Sequence, residues 1–229
     1  MISYKNNRKL NKVLLCLTYI VMILLIITTG DCAISVSAAD NNNKVATVYI
    51  GDSRTVGMNN VVHMDEHKDT FVIAKSGMGY KWLIDSAIPE LEKLQKENDY
   101  DSWNIVFNLG VNDLKRVDDY VAIIPKLKTY GELYYVSINP TVDSVGGIQC
   151  KSIEKFNNKI IPEVDRYIDG YSFLKSNGYY AKDGMHYDNE TYERLYGYIC
   201  LNLQIWDYLC SVDTEEVEQY EVDELLNLF

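Results

Sequence analysis

Apolar positions along the chain follow two alternating patterns. Four short runs are almost continuously apolar: KVATVYI (44–50), TFVIAKS (70–76), NIVFNLG (104–110) and ELYYVSINP (132–140). Runs of this kind suit strands buried on both faces. Between them, YKWLIDSAIPELEKLQKEN (80–98), VDDYVAIIPKLKTYG (117–131) and GIQCKSIEKFNNKIIPEVDRYID (147–169) carry apolar residues three and four apart, the spacing of a helix with one buried face. Pro125 and Pro162 fall inside two of these segments, and each predicts a kink or a break. A last short apolar piece, YSFLK (171–175), precedes a loop and a final helix candidate, NETYERLYGYICLNLQIWDYLC (189–210). The stretch after the first run, beginning SRTVG, shows no clear period of either kind. Strand and helix patterns in alternation predict an α/β fold, a parallel sheet covered by helices on both sides. There is no internal repeat and no interior linker.

The two ends depart from this alternation. Lys5, Arg8, Lys9 and Lys12 precede the nearly uncharged run VLLCLTYIVMILLIITTG, and small residues follow at Ala38 and Ala39. Positive, then apolar, then cleavable is the layout of a secretory signal, which gives 1–39 as signal peptide with cleavage near Val36-Ser37-Ala38. An uncleaved membrane anchor is the alternative, because the run is long for a signal and slightly short for a span. A lipoprotein cysteine at Cys32 is disfavoured by the acidic Asp31 before it. Either way the globular part, 40–211, is expected to work outside the cytoplasmic membrane. The tail 212–229 is rich in acids, lacks basic residues and ends in Leu225, Leu226, Leu228 and Phe229; it reads as a solvated terminal helix or, alternatively, a docking segment.

Composition narrows the partners. With 229 residues and 47% hydrophobic content the chain is long enough for one domain with a full core. Its net charge of −11, more negative still without residues 1–39, argues against nucleic acid as a partner. Cys150, Cys200 and Cys210 are an odd set with no CxxC spacing, so neither a fully paired disulfide framework nor a zinc site is expected. On one helix, Cys200 and Cys210 would lie about 15 Å apart along the axis, too far to pair. His63 and His67, in HMDEH, are four apart but do not spell a metalloprotease motif and read as an exposed loop.

The candidate chemistry collects at strand ends. Gly51-Asp52-Ser53 follows the first run, Ser76-Gly77-Met78-Gly79 the second and Gly110-Val111-Asn112-Asp113 the third, while Asp183-Gly184-Met185-His186 lies in the loop after the last apolar piece. In an open parallel sheet the loops leaving the carboxyl ends of the strands form the binding crevice. Gly51 permits a tight turn and Ser53 opens the next segment with its hydroxyl toward that crevice. A serine hydroxyl needs a base to take its proton, and the base needs a third group to hold its tautomer. His186 is the candidate base and Asp183 the acid that orients it. The amides of Ser53 and Gly77 and the side-chain amide of Asn112 are the candidate donors to an oxyanion. Asp113 is expected to start the following helix, Asp52 to tie down the turn, and Arg54 to be a solvated side chain rather than a substrate contact. Tyr80, Trp82, Tyr179, Tyr180 and Tyr187 fall near the crevice, where aromatic faces suit sugar rings, although core packing explains them equally well.

GDS, a glycine after the second strand, GVND and DGMH, in this order over residues 45 to about 210, resemble the SGNH (GDSL) hydrolase superfamily. The resemblance implies a flavodoxin-like three-layer α/β/α sandwich of about five parallel strands, with neither metal nor other cofactor. It also implies ester hydrolysis through an acyl-serine. By the same resemblance Ser53 is the nucleophile, His186 the base, Asp183 its orienting acid, and Ser53, Gly77 and Asn112 the oxyanion donors. The second block departs from the common pattern: AKSGMG lacks the Asn that often stands two residues before the glycine. Gly77 and Gly79 therefore both remain open, with Gly77 preferred as the first after the strand. A nucleophile elbow of the other large serine-hydrolase fold would need G-x-S-x-G, which Gly51-Asp52-Ser53-Arg54-Thr55 is not.

The resulting expectation is a secreted or surface-anchored serine esterase acting on a small ester, such as an O-acetyl group on a glycan. An acyltransferase using the same residues is the nearest alternative. A non-catalytic surface binding domain is the alternative from another class.

Overall fold

The computed structural model describes residues 43–211. The expected signal or anchor, the acidic tail and the Cys210 side chain lie outside the described residues. The four apolar runs form strands: β1 (Val45–Gly51), β2 (Thr70–Ala74), β3 (Ser102–Asn108) and β4 (Glu132–Val136). A short fifth strand, β5 (Arg166–Ile168), completes a sheet of order β2-β1-β3-β4-β5 with every pairing parallel. The architecture is thus the expected five-stranded α/β/α sandwich, in flavodoxin-like order.

Helices fill both faces. They are α1 (Ser53–Val62), α2 (Tyr80–Trp82), α3 (Ile88–Glu97), α4 (Val117–Leu127), α5 (Cys150–Ile160), α6 (Gly170–Asn177) and α7 (Asn189–Ser211). A π-helical turn, Leu83–Ala87, joins α2 to α3. Alternate residues of each strand feed opposite cores, as the period of two requires. Ile105 and Phe107 face Leu91, Tyr120, Ile124 and Phe156 on one side. Val106 and Tyr134 face Met58, Tyr192, Leu195 and Ile199 on the other.

Three segments depart from the sequence pattern. The stretch after β1 is helical although its periodicity is weak, because Arg54, Thr55 and Met58 supply the buried face where aliphatic residues would normally stand. The last apolar piece is not a strand: residues 171–175 lie in α6, with Tyr171 and Leu174 buried three apart and Asp169 capping the Ser172 amide at 3.0 Å. The strand comes instead from the end of the segment expected to be helical, after Pro162 has closed α5 in a 3-10 turn (Ile161–Glu163). Lastly, Pro125 does not break α4 but sits inside it, two residues before its end.

The order of strands reverses direction at β1, since the chain goes first to β2 on one side and then to β3 on the other. The crevice of such a sheet opens at that reversal, beyond the carboxyl ends of β1 and β3. Gly51 and Asn108, which close those two strands, are register partners. Among the described residues no helix is long and apolar enough to cross a membrane.

Candidate active site

Gly51 is required by its surroundings. A Cβ there would stand 1.9 Å from Thr55 Oγ1 and 2.8 Å from the Asn108 carbonyl. The turn that follows is capped by Asp52, whose Oδ1 accepts from the Arg54 amide at 3.0 Å while its own carbonyl accepts from Val56 at 3.0 Å. Ser53 is therefore the first helical residue of α1. Amides of a first helical turn have no intrahelical acceptor, which leaves the Ser53 N–H available at the crevice. Asp52 is buried, and burial raises its pKa against the opposing charge of Arg54.

The second half of the site is a tight loop between β-bridge partners Ala181 and Tyr187. Asp183 folds back on it: Oδ1 accepts from the amides of Met185 at 2.9 Å and His186 at 2.7 Å. Its other oxygen, Oδ2, meets His186 Nδ1 at 2.6 Å. The bonds from the His186 amide and ring and from the Met185 amide hold the Asp183 carboxyl well below the usual carboxylate range. Gly184 makes the turn possible with φ +83°, and a Cβ there would meet Val145 Cγ2 at 2.3 Å. His186 Nε2 lies 2.8 Å from Ser53 Oγ. Serine, imidazole and carboxylate thus form one hydrogen-bonded chain.

Gly77 and Asn112 are not bonded to that chain. Asn112 Nδ2 donates to the Met78 carbonyl at 2.7 Å, which ties the loop after β3 to the loop after β2. One N–H of the Asn112 amide is used in this way and one is left. Gly77 has φ +74° with open space where a side chain would project. Gly79 has a different role, since a Cβ there would stand 2.4 Å from Asp113 Oδ2. Asp113 does not start a helix as expected. Its carboxylate instead accepts from the Tyr80 amide at 2.7 Å and the Tyr120 hydroxyl at 2.7 Å, bracing the two loops from below.

A cleft of about 430 Å³ runs from Ser53 and His186 along α1, lined also by Val56, Asn60, Lys182 and Asn189. Of the five aromatic residues expected near the crevice only Tyr187 lines it, joined by Tyr192. Tyr80 instead lies under the Arg116 guanidinium, 4.6 Å from its ring centroid, and Trp82 packs on the core. His67 is taken by the Tyr196 hydroxyl at 2.9 Å, and no cluster of three or more metal-ligating side chains occurs among the described residues. Cys150 donates its thiol to the Thr141 carbonyl at 3.1 Å.

Arg54 is the largest departure from expectation. It is not solvated but 3% exposed, with Nη1 donating to the Asn139 carbonyl at 2.7 Å. A legible signal was its place four residues before Met58 and seven before Val61, on the core-facing stripe of α1.

No protein-family model matches the chain, and no curated protein matches it. Its structure does resemble solved ones. The catalytic domain of peptidoglycan O-acetyltransferase A from Streptococcus pneumoniae, seen with a methylsulfonyl adduct, superposes with a TM-score of 0.55 at 18% identity, over 72% of this chain and 95% of that one. A lipolytic G-D-S-L family protein from Veillonella parvula gives 0.53 at 18% identity, over 75% of this chain and 100% of that one. A catalytic mutant of an acetylxylan esterase from Geobacillus stearothermophilus gives 0.50 at 13% identity, over 69% and 93%. The chain therefore has the fold of the SGNH (GDSL) hydrolase superfamily.

Proposed function

We propose that this protein is a serine hydrolase of carboxylic esters in which Ser53 is the nucleophile, His186 the general base and Asp183 the acid that orients it. The observation that carries the reading is the unbroken chain from Ser53 Oγ through His186 Nε2 and Nδ1 to Asp183 Oδ2, with links of 2.8 and 2.6 Å. Attack of Oγ on the ester carbonyl passes the serine proton to Nε2, and Asp183 stabilises the imidazolium so formed. The Ser53 and Gly77 amides and the remaining Asn112 N–H are assigned to the developing oxyanion. Collapse expels the alcohol, which takes the proton from Nε2. Water, deprotonated by the same imidazole, then releases the acid and regenerates Ser53.

The substrate class proposed is a small ester, such as an acetyl group on a glycan. Support comes from the cleft of about 430 Å³, whose lining mixes Val56 and Val61 with Asn60, Lys182 and Asn189. Likeness to an acetylxylan esterase and to an O-acetyltransferase points the same way. The latter also favours a second reading, in which a sugar hydroxyl replaces water in the deacylation step. Extracytoplasmic action, by way of the signal or anchor layout of residues 1–39, belongs to the same proposal.

The test is hydrolysis of para-nitrophenyl esters of increasing acyl length by the full chain, with Ser53→Ala beside it and with or without an acceptor glycan. Turnover of the acetyl ester that Ser53→Ala abolishes supports the reading, and acetylated glycan among the products selects transfer over hydrolysis. A folded protein that turns over no ester would leave a binding role.

A further inference from the structure

Arg54 and Tyr187 hold matching stations beside the reactive pair. Arg54 directly follows Ser53, and Tyr187 directly follows His186. Both are buried, and each is bound to one of two consecutive carbonyls. Arg54 Nη1 donates to Asn139 at 2.7 Å, and the Tyr187 hydroxyl donates to Pro140 at 2.5 Å. The two also touch each other, with the guanidinium carbon 5.4 Å from the tyrosine ring centroid. A closed circuit results: from Ser53 through Arg54 to Asn139 and Pro140, back through Tyr187 to His186, and across to Ser53.

The segment shared by both is itself fixed. Residues 136–141 are buried throughout. The Asn157 side chain makes paired bonds of 2.9 Å with the amide and carbonyl of Ile138. Thr141 accepts from the Tyr179 hydroxyl at 3.0 Å and from Cys150. An anchor on this segment is an anchor on the sheet.

Arginine is a costly choice for this position if packing were all it supplied. Its Nε and Nη2 are buried with no hydrogen-bond partner among the described residues, and a guanidinium left partly unsatisfied in an interior is destabilising. A leucine on the same stripe would fill space without that cost. What arginine adds is reach to the Asn139 carbonyl, a flat cationic face against Tyr187 and a positive charge near the buried Asp52.

We propose that Arg54 is a positioning residue which, together with Tyr187, sets the distance between Ser53 Oγ and His186 Nε2 by fastening both of their segments to Asn139 and Pro140. This rests on Ser53 and His186 being nucleophile and base, as argued above. Small misplacements of reacting groups, of about 1 Å, cost roughly 10²-fold in rate.

The experiment compares full-length wild type, Arg54→Met, Arg54→Lys, Tyr187→Phe and the Arg54→Met/Tyr187→Phe double variant on para-nitrophenyl acetate. Active sites are counted by covalent labelling with a fluorophosphonate, so that unfolded material does not enter the rate. Arg54→Met is expected to lower kcat per labelled site by roughly 10²-fold with KM little changed, and Arg54→Lys to recover part of the loss. Tyr187→Phe, which keeps the ring and removes the tie to Pro140, is expected to lose less. The double variant should lose no more than Arg54→Met alone, because without Arg54 the circuit is already open and the Pro140 tie can no longer act through it. If Arg54→Met fails to fold, the drop in kcat per site for Tyr187→Phe decides. Unchanged kcat per site with a lowered Tm, or losses that multiply in the double variant, would overturn the proposal while leaving the serine-hydrolase reading intact. Wild type that neither labels nor turns over ester would overturn both.

Discussion

Ser53 Oγ and His186 Nε2 stand 2.8 Å apart although 133 residues separate them in the chain. That contact is made by two local designs. On one side a capped helix start presents the hydroxyl; on the other a turn closed by Gly184 presents the ring.

Asp183 serves both the turn and the ring, so its substitution should separate the two roles. In Asp183→Asn the side-chain oxygen that accepts from Met185 and His186 amides is retained, whereas the charge facing Nδ1 is lost. The expected result is a fall in kcat of roughly 10²- to 10⁴-fold with modest loss of stability, since a serine hydrolase with a neutral third member holds the wrong imidazole tautomer. Steady-state kinetics on a para-nitrophenyl ester beside a thermal melt checks it.

The lowered pKa of Asp183 makes a prediction about stability and pH. A carboxylate whose folded pKa lies below its unfolded value contributes stability in full above the unfolded value, and loses it as pH falls through the folded one. The stability difference between wild type and Asp183→Asn should therefore hold steady from neutral pH to about pH 4, the ordinary aspartate range, and shrink only below that. Urea unfolding across this range measures it; a difference that collapses between pH 7 and pH 5 would contradict it.

Gly51→Ala places a methyl where Thr55 Oγ1 and the Asn108 carbonyl already stand, at 1.9 and 2.8 Å. Rotation of the threonine would move Oγ1 but not its Cβ, which would stand 2.6 Å away, and the carbonyl belongs to β3 and cannot move. Overpacking of this kind costs about 1–3 kcal/mol, and here it also displaces the turn that carries Ser53. Both Cm in urea and kcat should fall, and Thr55→Ser in the same chain should not restore them.

Asn112 is tied to Met78 and also assigned to the oxyanion. If it donates to the oxyanion, Asn112→Ala lowers kcat by roughly 10²- to 10³-fold. If it only braces the two loops, the same change lowers Tm and leaves kcat near that of wild type. Kinetics with active-site counting distinguishes the two.

Much of this was legible in the sequence, and unevenly so. Strands buried on both faces announced themselves because β1, β3 and β4 are apolar runs with few interruptions. All four polar blocks were expected at strand ends; DGMH instead lies in the loop after α6, yet Asp183 and His186 meet Ser53 beyond the end of β1. Residues 166–168 were hidden because three residues are too few to show a period, and YSFLK was ambiguous because five residues, three of them apolar, fit either element. Arg54 was missed for a different reason. A cation is assigned to solvent by default, and only its helical phase with Met58 and Val61, together with the buried Asp52 beside it, points inward. Asp113 likewise looked like a turn residue, since one partner, Tyr80, is 33 residues away and the other, Tyr120, lies in the helix that follows.

In the proposed mechanism Ser53 carries the acyl group between two half-reactions. The most direct measurement is rapid acid quenching of the full chain during turnover of para-nitrophenyl acetate, followed by mass spectrometry of the intact protein and its peptides. One added acetyl group, located on Ser53, is expected in wild type and absent from Ser53→Ala. Turnover with the label elsewhere, or undiminished turnover by Ser53→Ala, would contradict it.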